Sequence, residues 1–275
     1  MKQGITHYIL IGLIACGLFG VPPTSFAGKW EEKAPLLRKR WGLGTETVSG
    51  KIYAIGGQDD LPVAGKKVAE YDPERDQWTE KKSMPTGRFR LATSVVRGRI
   101  YVFGGTTNNF EAVPTVEEYD PKTDTWTKKA DMPTARLGLT AAVVGGKIYT
   151  IGGAESFFFP SGAVEVYDPL TDTWEKRADM PNPRWGISAV AVASKIYVSG
   201  GAVDNSHQKC TDTMEMYTPK TDTWTKKSDM PIDYFNVGFS FCQQWEDLCH
   251  WRTEVGGSEQ RWKIERWMDT PLDRL

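Results

Sequence analysis

Residues 50–57 read GKIYAIGG, and this octapeptide returns as GRIYVFGG at 98–105, GKIYTIGG at 146–153 and SKIYVSGG at 194–201. The four copies therefore follow one another at a constant spacing along the chain. A fixed period of this length is typical of stacked supersecondary units, none of which can bury its apolar face alone. The octapeptide therefore predicts a repeat architecture before any single residue is interpreted.

Other positions repeat with the same period. A tyrosine follows the glycine pair at a constant distance in the first three copies, and in the fourth copy it comes two positions later. A tryptophan stands at the seventh position after each tyrosine. Met-Pro comes at the sixth position after the tryptophan, and an arginine stands at the third position after the proline in the first three units. Tyr234 replaces this arginine after the fourth unit, and Arg40 stands in register ahead of the first. The tyrosines are Tyr71, Tyr119, Tyr167 and Tyr217, and the tryptophans are Trp78, Trp126, Trp174 and Trp224.

Each unit has the pattern of four short strands. Apolar runs such as LATSVV, and the runs that end in Gly-Gly, are rich in β-branched and aromatic residues. VAEYD, VEEYD, VEVYD and MEMYT alternate apolar and charged residues as half-buried strands do, which predicts that the charges lie at solvated blade edges. Asp-Pro then predicts a type I turn, and a fourth strand begins at each tryptophan. The repeats have no sustained helical period, so the predicted fold class is all-β.

Four-stranded units of about 40–50 residues are the blades of β-propellers. The apolar residues before Gly-Gly, the spaced Tyr and Trp, and Met-Pro-x-x-Arg together resemble the kelch repeat. The resemblance covers residues 28–240 and implies a kelch-type propeller in which Tyr and Trp pack between neighbouring sheets. It implies four recognisable blades plus partial elements in an incomplete ring, with repeats near residues 38–84, 86–132, 134–180 and 182–230.

Residues 1–27 have the features of a secretory signal peptide. Lys2 precedes an apolar run, and SFA ending at Ala27 fits a small-x-small cleavage site. The run is too short to span a bilayer comfortably. We therefore expect a secreted or periplasmic protein with no transmembrane segment in the mature chain. The alternative is a lipid anchor on Cys16, because LIAC resembles a bacterial lipobox, although the residues after Cys16 stay apolar.

The net charge and the small numbers of histidines and cysteines argue against several classes of function. The chain has 34 basic and 35 acidic residues and a net charge of −1, so no electrostatic argument supports a nucleic-acid partner. Cys210 stands alone in a loop, which excludes a disulfide-built scaffold. His207 and Cys210 together supply only two ligands, so we predict no metal site and no cofactor. The three histidines form no Ser-His-Asp set, so no catalytic residue is predicted.

Arg40, Arg88, Arg136 and Arg184 are the candidate ligand-binding residues. Each lies in the connection between two blades, so the period would place the four in a ring around one mouth of the channel. A planar, permanently charged guanidinium suits carboxylate or phosphate recognition, and the kelch resemblance implies a role in a peptide or acidic-sugar pocket. Because the arginine recurs in every unit while ligand pockets are asymmetric, the sequence favours a structural role, with hydrogen bonds to backbone carbonyls between blades.

The repeat fails near residue 244, where a fifth octapeptide is due. Residues 241–275 have no period, but reading residues 245–252 one nucleotide downstream permits GKIYVIGG. We therefore hypothesise that the tail is a frameshifted fifth kelch repeat. Residues 30–37 would then be the outer strand of a blade whose inner strands the tail cannot supply. Two inter-blade faces would be exposed, which predicts aggregation or marginal stability.

The function class that these observations favour is a secreted kelch propeller that binds a protein, peptide or carbohydrate ligand. Two alternatives stay open. One is a periplasmic enzyme similar to the sugar mutarotases or epimerases, which would need only a polar, charged mouth. The other is a non-functional product of a frameshifted gene. A propeller fold by itself does not decide among them.

Overall fold

The computed structural model describes residues 31–59, 64–108, 111–155, 159–205 and 209–231, together with the backbone of two short strands nearer the C terminus. The chain divides into two units, Met1–Val237 and Gly238–Leu275. The predicted signal peptide with Cys16, the loop residue His207 and most of the tail lie outside the described residues.

The first unit contains four antiparallel sheets of four strands, each paired in chain order. The strands are β1 (Gly44–Val48), β2 (Lys51–Ile55), β3 (Val68–Asp72) and β4 (Gln77–Lys81); β5 (Ala92–Val96), β6 (Arg99–Phe103), β7 (Val116–Asp120) and β8 (Thr125–Lys129); β9 (Thr140–Val144), β10 (Lys147–Ile151), β11 (Val164–Asp168) and β12 (Thr173–Arg177); and β13 (Ser188–Val192), β14 (Lys195–Ser199), β15 (Met214–Thr218) and β16 (Thr223–Lys226). No helix is present among the described residues. The predicted all-β class and the four blades are confirmed.

The first strand of each sheet lies at the inner edge of the blade array. Strand β1 contacts β5, β5 contacts β9, and β9 contacts β13. The strand register is also the same in each blade. In the second blade, Tyr119 of β7 pairs with Ile100 of β6 and with Trp126 of β8. The same pairs recur at the repeat period in the other blades, so all four sheets present equivalent residues to their neighbours.

Buried apolar side chains fill the three spaces between successive blades. Between the first two blades, Tyr53 and Ile55 belong to the same cluster as Ile100 and Tyr119. The rings of Tyr53 and Tyr119 meet edge to face with their centroids 6.0 Å apart. Full burial of one large apolar side chain contributes about 1.5–3 kcal/mol. Much of each blade's stability therefore depends on its neighbours, as stacked repeats require.

A link formed by a tyrosine and an aspartate also joins each blade to the one before it. Asp124 has φ of 52°, in the left-handed region that aspartate tolerates better than most residues. Its Oδ1 accepts hydrogen bonds from the Tyr119 hydroxyl at 2.7 Å and from the Lys82 N–H at 2.9 Å, while Trp126 Nε1 donates to the Lys82 carbonyl. Equivalent bonds recur at Asp76, Asp172 and Asp222.

Residues 31–37 make these same contacts with the first blade. The Ala34 N–H donates to Asp76 Oδ1 at 2.7 Å, and Trp78 Nε1 donates to the Ala34 carbonyl at 2.9 Å. The segment therefore lies where the exit of a preceding blade would lie. It forms no strand, which differs from the predicted outer strand, because the described residues include no neighbouring strand with which it could pair there.

The second unit contains a pair of antiparallel strands, β17 (His250–Thr253) and β18 (Trp262–Glu265), in which His250 is opposite Glu265. Throughout the described ranges of both units, no helix has the length and apolar character needed to cross a membrane.

Candidate functional site

Three of the four candidate arginines are fully buried and paired with a carboxylate. Their exposed fraction is 0%, and each guanidinium contacts a glutamate on the third strand of the blade that follows it. The ion pairs are Arg88–Glu117 at 2.6 Å, Arg136–Glu165 at 2.6 Å and Arg184–Glu215 at 2.7 Å. The prediction that the charges of the VEEYD-type strands lie at solvated edges is therefore wrong for these glutamates, because each neutralises a buried cation.

Arg136 has the most complete set of partners. Its Nη1 donates to the carbonyl oxygens of Gly152 and Ala163 at 2.7 and 3.0 Å, and its Nη2 donates to Thr150 Oγ1 and to Glu165. Glu165 in turn accepts a hydrogen bond from Thr134 Oγ1 at 2.7 Å. Burial lowers the pKa of the Arg136 guanidinium, and the charge of Glu165 opposes that change.

The backbone of each arginine is also bound to the preceding blade. The Arg88 carbonyl accepts a hydrogen bond from the Gly57 N–H at 2.9 Å, while Arg88 Nη1 donates to the Gly104 carbonyl of the next blade at 2.7 Å. Gly56 lies so close that a Cβ there would stand 2.7 Å from the Arg88 carbonyl oxygen. Arg88 and Arg136 therefore connect successive glycine pairs, which is the structural role that the sequence favours. Arg184 binds the preceding pair through its carbonyl and the following blade through Glu215.

Arg40 differs from the other three. It is partly exposed, and its guanidinium donates to the carbonyls of Gly56, Lys67 and Ala54 at 2.8, 2.6 and 3.4 Å. Its Nε is buried without a hydrogen-bond partner, as are those of Arg88 and Arg184. Ala69 holds the position that a glutamate holds in the other blades, so the third strand of the first blade offers Arg40 no carboxylate there.

A residue with a strained backbone lies close by at the inner edge. Arg90 has φ of 54°, whereas Gly42, Gly138 and Gly186 hold the equivalent positions of the other blades. The Arg90 N–H donates to the Gly42 carbonyl, the Gly138 N–H to the Arg90 carbonyl and the Gly186 N–H to the Gly138 carbonyl, at 2.7 to 2.8 Å. These hydrogen bonds connect all four blades. The left-handed conformation costs a residue with a side chain about 1–2 kcal/mol.

The Arg90 guanidinium lies between two indole rings. Its Cζ is 5.4 Å from the ring centroid of Trp41 and 5.1 Å from that of Trp185, which are cation–π distances. Trp41 precedes the first blade, Arg90 precedes the second and Trp185 precedes the fourth. Arg90 therefore contacts one residue at each end of the row of four blades. Trp41 is 47% exposed. We call Trp41, Arg90 and Trp185 the inner-edge site.

Comparison with known families classifies the chain. The family model described as "KLHDC2/KLHL20/DRC7 Kelch-repeats domain" matches residues 42–232. The chain belongs to the kelch-repeat family. It is also similar in fold to the solved structure described as "Structure of YjhT", with 21% sequence identity, a TM-score of 0.62, and coverage of 72% of this chain and 68% of that one. Comparison with curated proteins gives no match.

The inner-edge site departs from the kelch repeat, and sequence reasoning from shared positions misses it for that reason. The available signal is that Arg90 stands where the aligned units have Gly42, Gly138 and Gly186.

The described residues contain no group of three His, Cys, Asp or Glu side chains arranged to hold a metal ion.

Proposed function

We propose that this chain is a secreted binding module whose ligand contacts the inner-edge site. Kelch domains generally bind proteins, so a protein or peptide is the first expected ligand class, with carbohydrate as the second. The observation that carries the proposal is Arg90, an arginine at φ of 54° in a position that is glycine in the other three blades. Strain of this kind clusters at ligand-binding sites, where the surrounding structure maintains it.

The chemistry of the site favours a ligand that carries a carboxylate beside an apolar surface. Trp41 offers about half of its surface to solvent beside the Arg90 guanidinium, and the positive charge of that guanidinium attracts an anionic group. Tryptophan and arginine are also the residues most enriched at the centres of protein interfaces. Burial lowers the pKa of Arg90, and a bound anion would compensate for this loss of solvation.

The test is Arg90→Gly, which installs the residue that the other blades already have. We expect it to retain stability within about 1 kcal/mol, because relief of strain offsets the two cation–π contacts. Ligands selected by the full chain from displayed peptides and from acidic sugars should carry carboxylates. They should bind the variant at least about 30-fold more weakly, as loss of a central arginine typically costs about 2 kcal/mol or more.

Arg97→Gly is the matched control. Arg97 also has positive φ, at 53°, but lies in the exposed turn between β5 and β6. Ligand affinity should be unchanged in this variant. Equal affinity of the wild type and Arg90→Gly for every selected ligand would refute the proposal.

Export forms the second part of the proposal and is supported by the signal features of residues 1–27. N-terminal sequencing of the protein recovered outside the cytoplasm should give Gly28 as the first residue. A lipid-modified Cys16 at the N terminus would instead support the membrane-anchored alternative.

A further inference from the structure

The segment that leads into the first blade differs in sequence from the segments that lead into the other three. Residues 37–39 are Leu-Arg-Lys, whereas the equivalent residues are Pro-Thr-Gly at 85–87, Pro-Thr-Ala at 133–135 and Pro-Asn-Pro at 181–183. We call residues 37–41 the entry strip. Two cations and a leucine replace small or polar residues in this strip, so the repeat itself does not account for its chemistry.

Two large apolar side chains of the entry strip are in contact with solvent. Leu37 is 56% exposed and Trp41 is 47% exposed. The residues that hold the position of Trp41 in the other blades are at most 1% exposed, and they are Phe89, Leu137 and Trp185. The entry strip therefore presents apolar surface that the equivalent segments bury.

Cations lie on and beside the same strip. Arg38 and Lys39 are exposed between Leu37 and Trp41. Residues 66–67 are both lysines and lie next to the strip, because Arg40 Nη1 donates to the Lys67 carbonyl at 2.6 Å. Lys66 is exposed, and the other blades have no cation at its position, which is taken by Pro114, Gly162 and Asp212.

Two carboxylates offset part of this positive charge. The hydrogen bond from Lys67, and after it the charge of Arg38, lower the pKa of the Glu80 carboxyl. The charge of Asp59 acts on Arg40, whose pKa is lowered by burial. The five cations of residues 38–40 and 66–67 exceed these two carboxylates in number, so the surface is positive overall.

Hydrogen bonds on both sides hold the entry strip in place. Before the strip, the Ala34 N–H donates to Asp76 Oδ1, and Trp78 Nε1 donates to the Ala34 carbonyl. At its end, the backbone groups of Trp41 and Gln58 exchange two hydrogen bonds of 2.9 Å. A surface that is ordered in advance loses little conformational entropy when it binds a partner.

We propose that the entry strip and Lys66 bind the surface of an anionic phospholipid bilayer, with Leu37 and Trp41 among the headgroups and the cations beside the lipid phosphates. Tryptophan is enriched at membrane interfaces, and Lys or Arg beside Leu and Trp is typical of segments that lie there. An acidic protein would satisfy the cations but gives no reason for a half-exposed leucine beside them. The proposal does not depend on the ligand proposed for the inner-edge site.

The experiment is co-sedimentation with vesicles of equal parts phosphatidylcholine and phosphatidylglycerol. The protein is the chain that begins at Gly28, the expected product of signal cleavage, because the apolar residues before it would bind lipid themselves. We expect an association constant on the order of 10⁴ M⁻¹, similar to that of one myristoyl chain, so half of the protein should sediment near about 0.1 mM accessible lipid. Vesicles of phosphatidylcholine alone should bind about 100-fold more weakly, since each cation near an anionic surface contributes about fivefold.

Substitutions within the entry strip separate its charges from its apolar surface. Arg38→Gln combined with Lys39→Gln should weaken binding to the anionic vesicles about 25-fold. Leu37→Gln alone should weaken it about threefold or more, because a partly buried leucine is lost. Lys122→Thr combined with Lys220→Thr is the matched control, because it removes two cations from exposed turns of other blades and should change the affinity less than about twofold.

Three results would overturn the proposal. The first is no binding of the wild type up to about 5 mM lipid, roughly 50 times the expected midpoint. The second is equal binding by the wild type and the variant with both glutamines. The third is binding of polyglutamate but not of vesicles at the same ionic strength, which would identify an acidic protein as the partner instead.

Discussion

Removal of Glu165 tests whether the buried ion pairs hold the blade connections together. The pair with Arg136 has exposed fractions of 0% and 3%, so Glu165→Ala leaves a buried cation with only neutral acceptors. Loss of one partner of a buried pair costs about 3–5 kcal/mol. The two carbonyls and Thr150 Oγ1 remain bound to Arg136, so we expect a loss near the lower limit, about 3 kcal/mol.

The assay is urea unfolding of the full chain followed by tryptophan fluorescence. For a dependence on urea of about 1–3 kcal/mol/M, this loss lowers the midpoint by about 1 M or more. Glu175→Ala is the control, because Glu175 pairs with Arg177 at the surface and is 59% exposed. That variant should lose at most about 1 kcal/mol. A similarly small loss in Glu165→Ala would show that the arginines are not fixed by their carboxylates.

Three further predictions concern stability. Burial raises the pKa of Glu46 to about 7 from its ordinary 4.5. Between those pH values the folded state keeps a proton that the unfolded state loses, so stability should fall by about 3 kcal/mol as the pH rises. Glu46→Gln should remove this fall in melting curves from pH 4 to 8. Tyr119→Phe deletes the hydrogen bond to Asp124 and should cost about 1–2 kcal/mol in urea; an unchanged midpoint would contradict this. Gly105→Ala should cost at least about 2 kcal/mol in the same assay. The reason is that Gly105 has φ of 91° and a Cβ there would stand 2.7 Å from the Phe89 carbonyl oxygen.

The strands and their order could be predicted from the sequence because the same pattern of residues recurs in each of the four units. Four copies of an apolar run that ends in Gly-Gly leave little freedom in placing β2, β6, β10 and β14. The conformation of residues 31–37 could not be predicted in the same way, because a strand requires a partner strand. The local sequence does not show whether that partner is present.

The candidate site was predictable only in part. The recurrence of Arg88 and its equivalents indicates a structural role, but the partner Glu117 lies in β7, a strand whose alternation suggests exposure. Periodicity assigns faces of a strand and does not show which face meets a buried cation. Arg90 and Ala69 could be found only as departures from the repeat, and their meaning depends on distances that the sequence does not contain.

The link between Tyr119, Asp124 and Lys82 has a consequence for how such a chain can evolve. Each blade accepts the exit of its predecessor through the same atoms, and Ala34 shows that a short segment can make these contacts without the rest of a blade. A duplication or deletion of one whole repeat would therefore regenerate matched interfaces wherever its endpoints fall within the unit. Recombination can change the number of blades without requiring any new surface to arise.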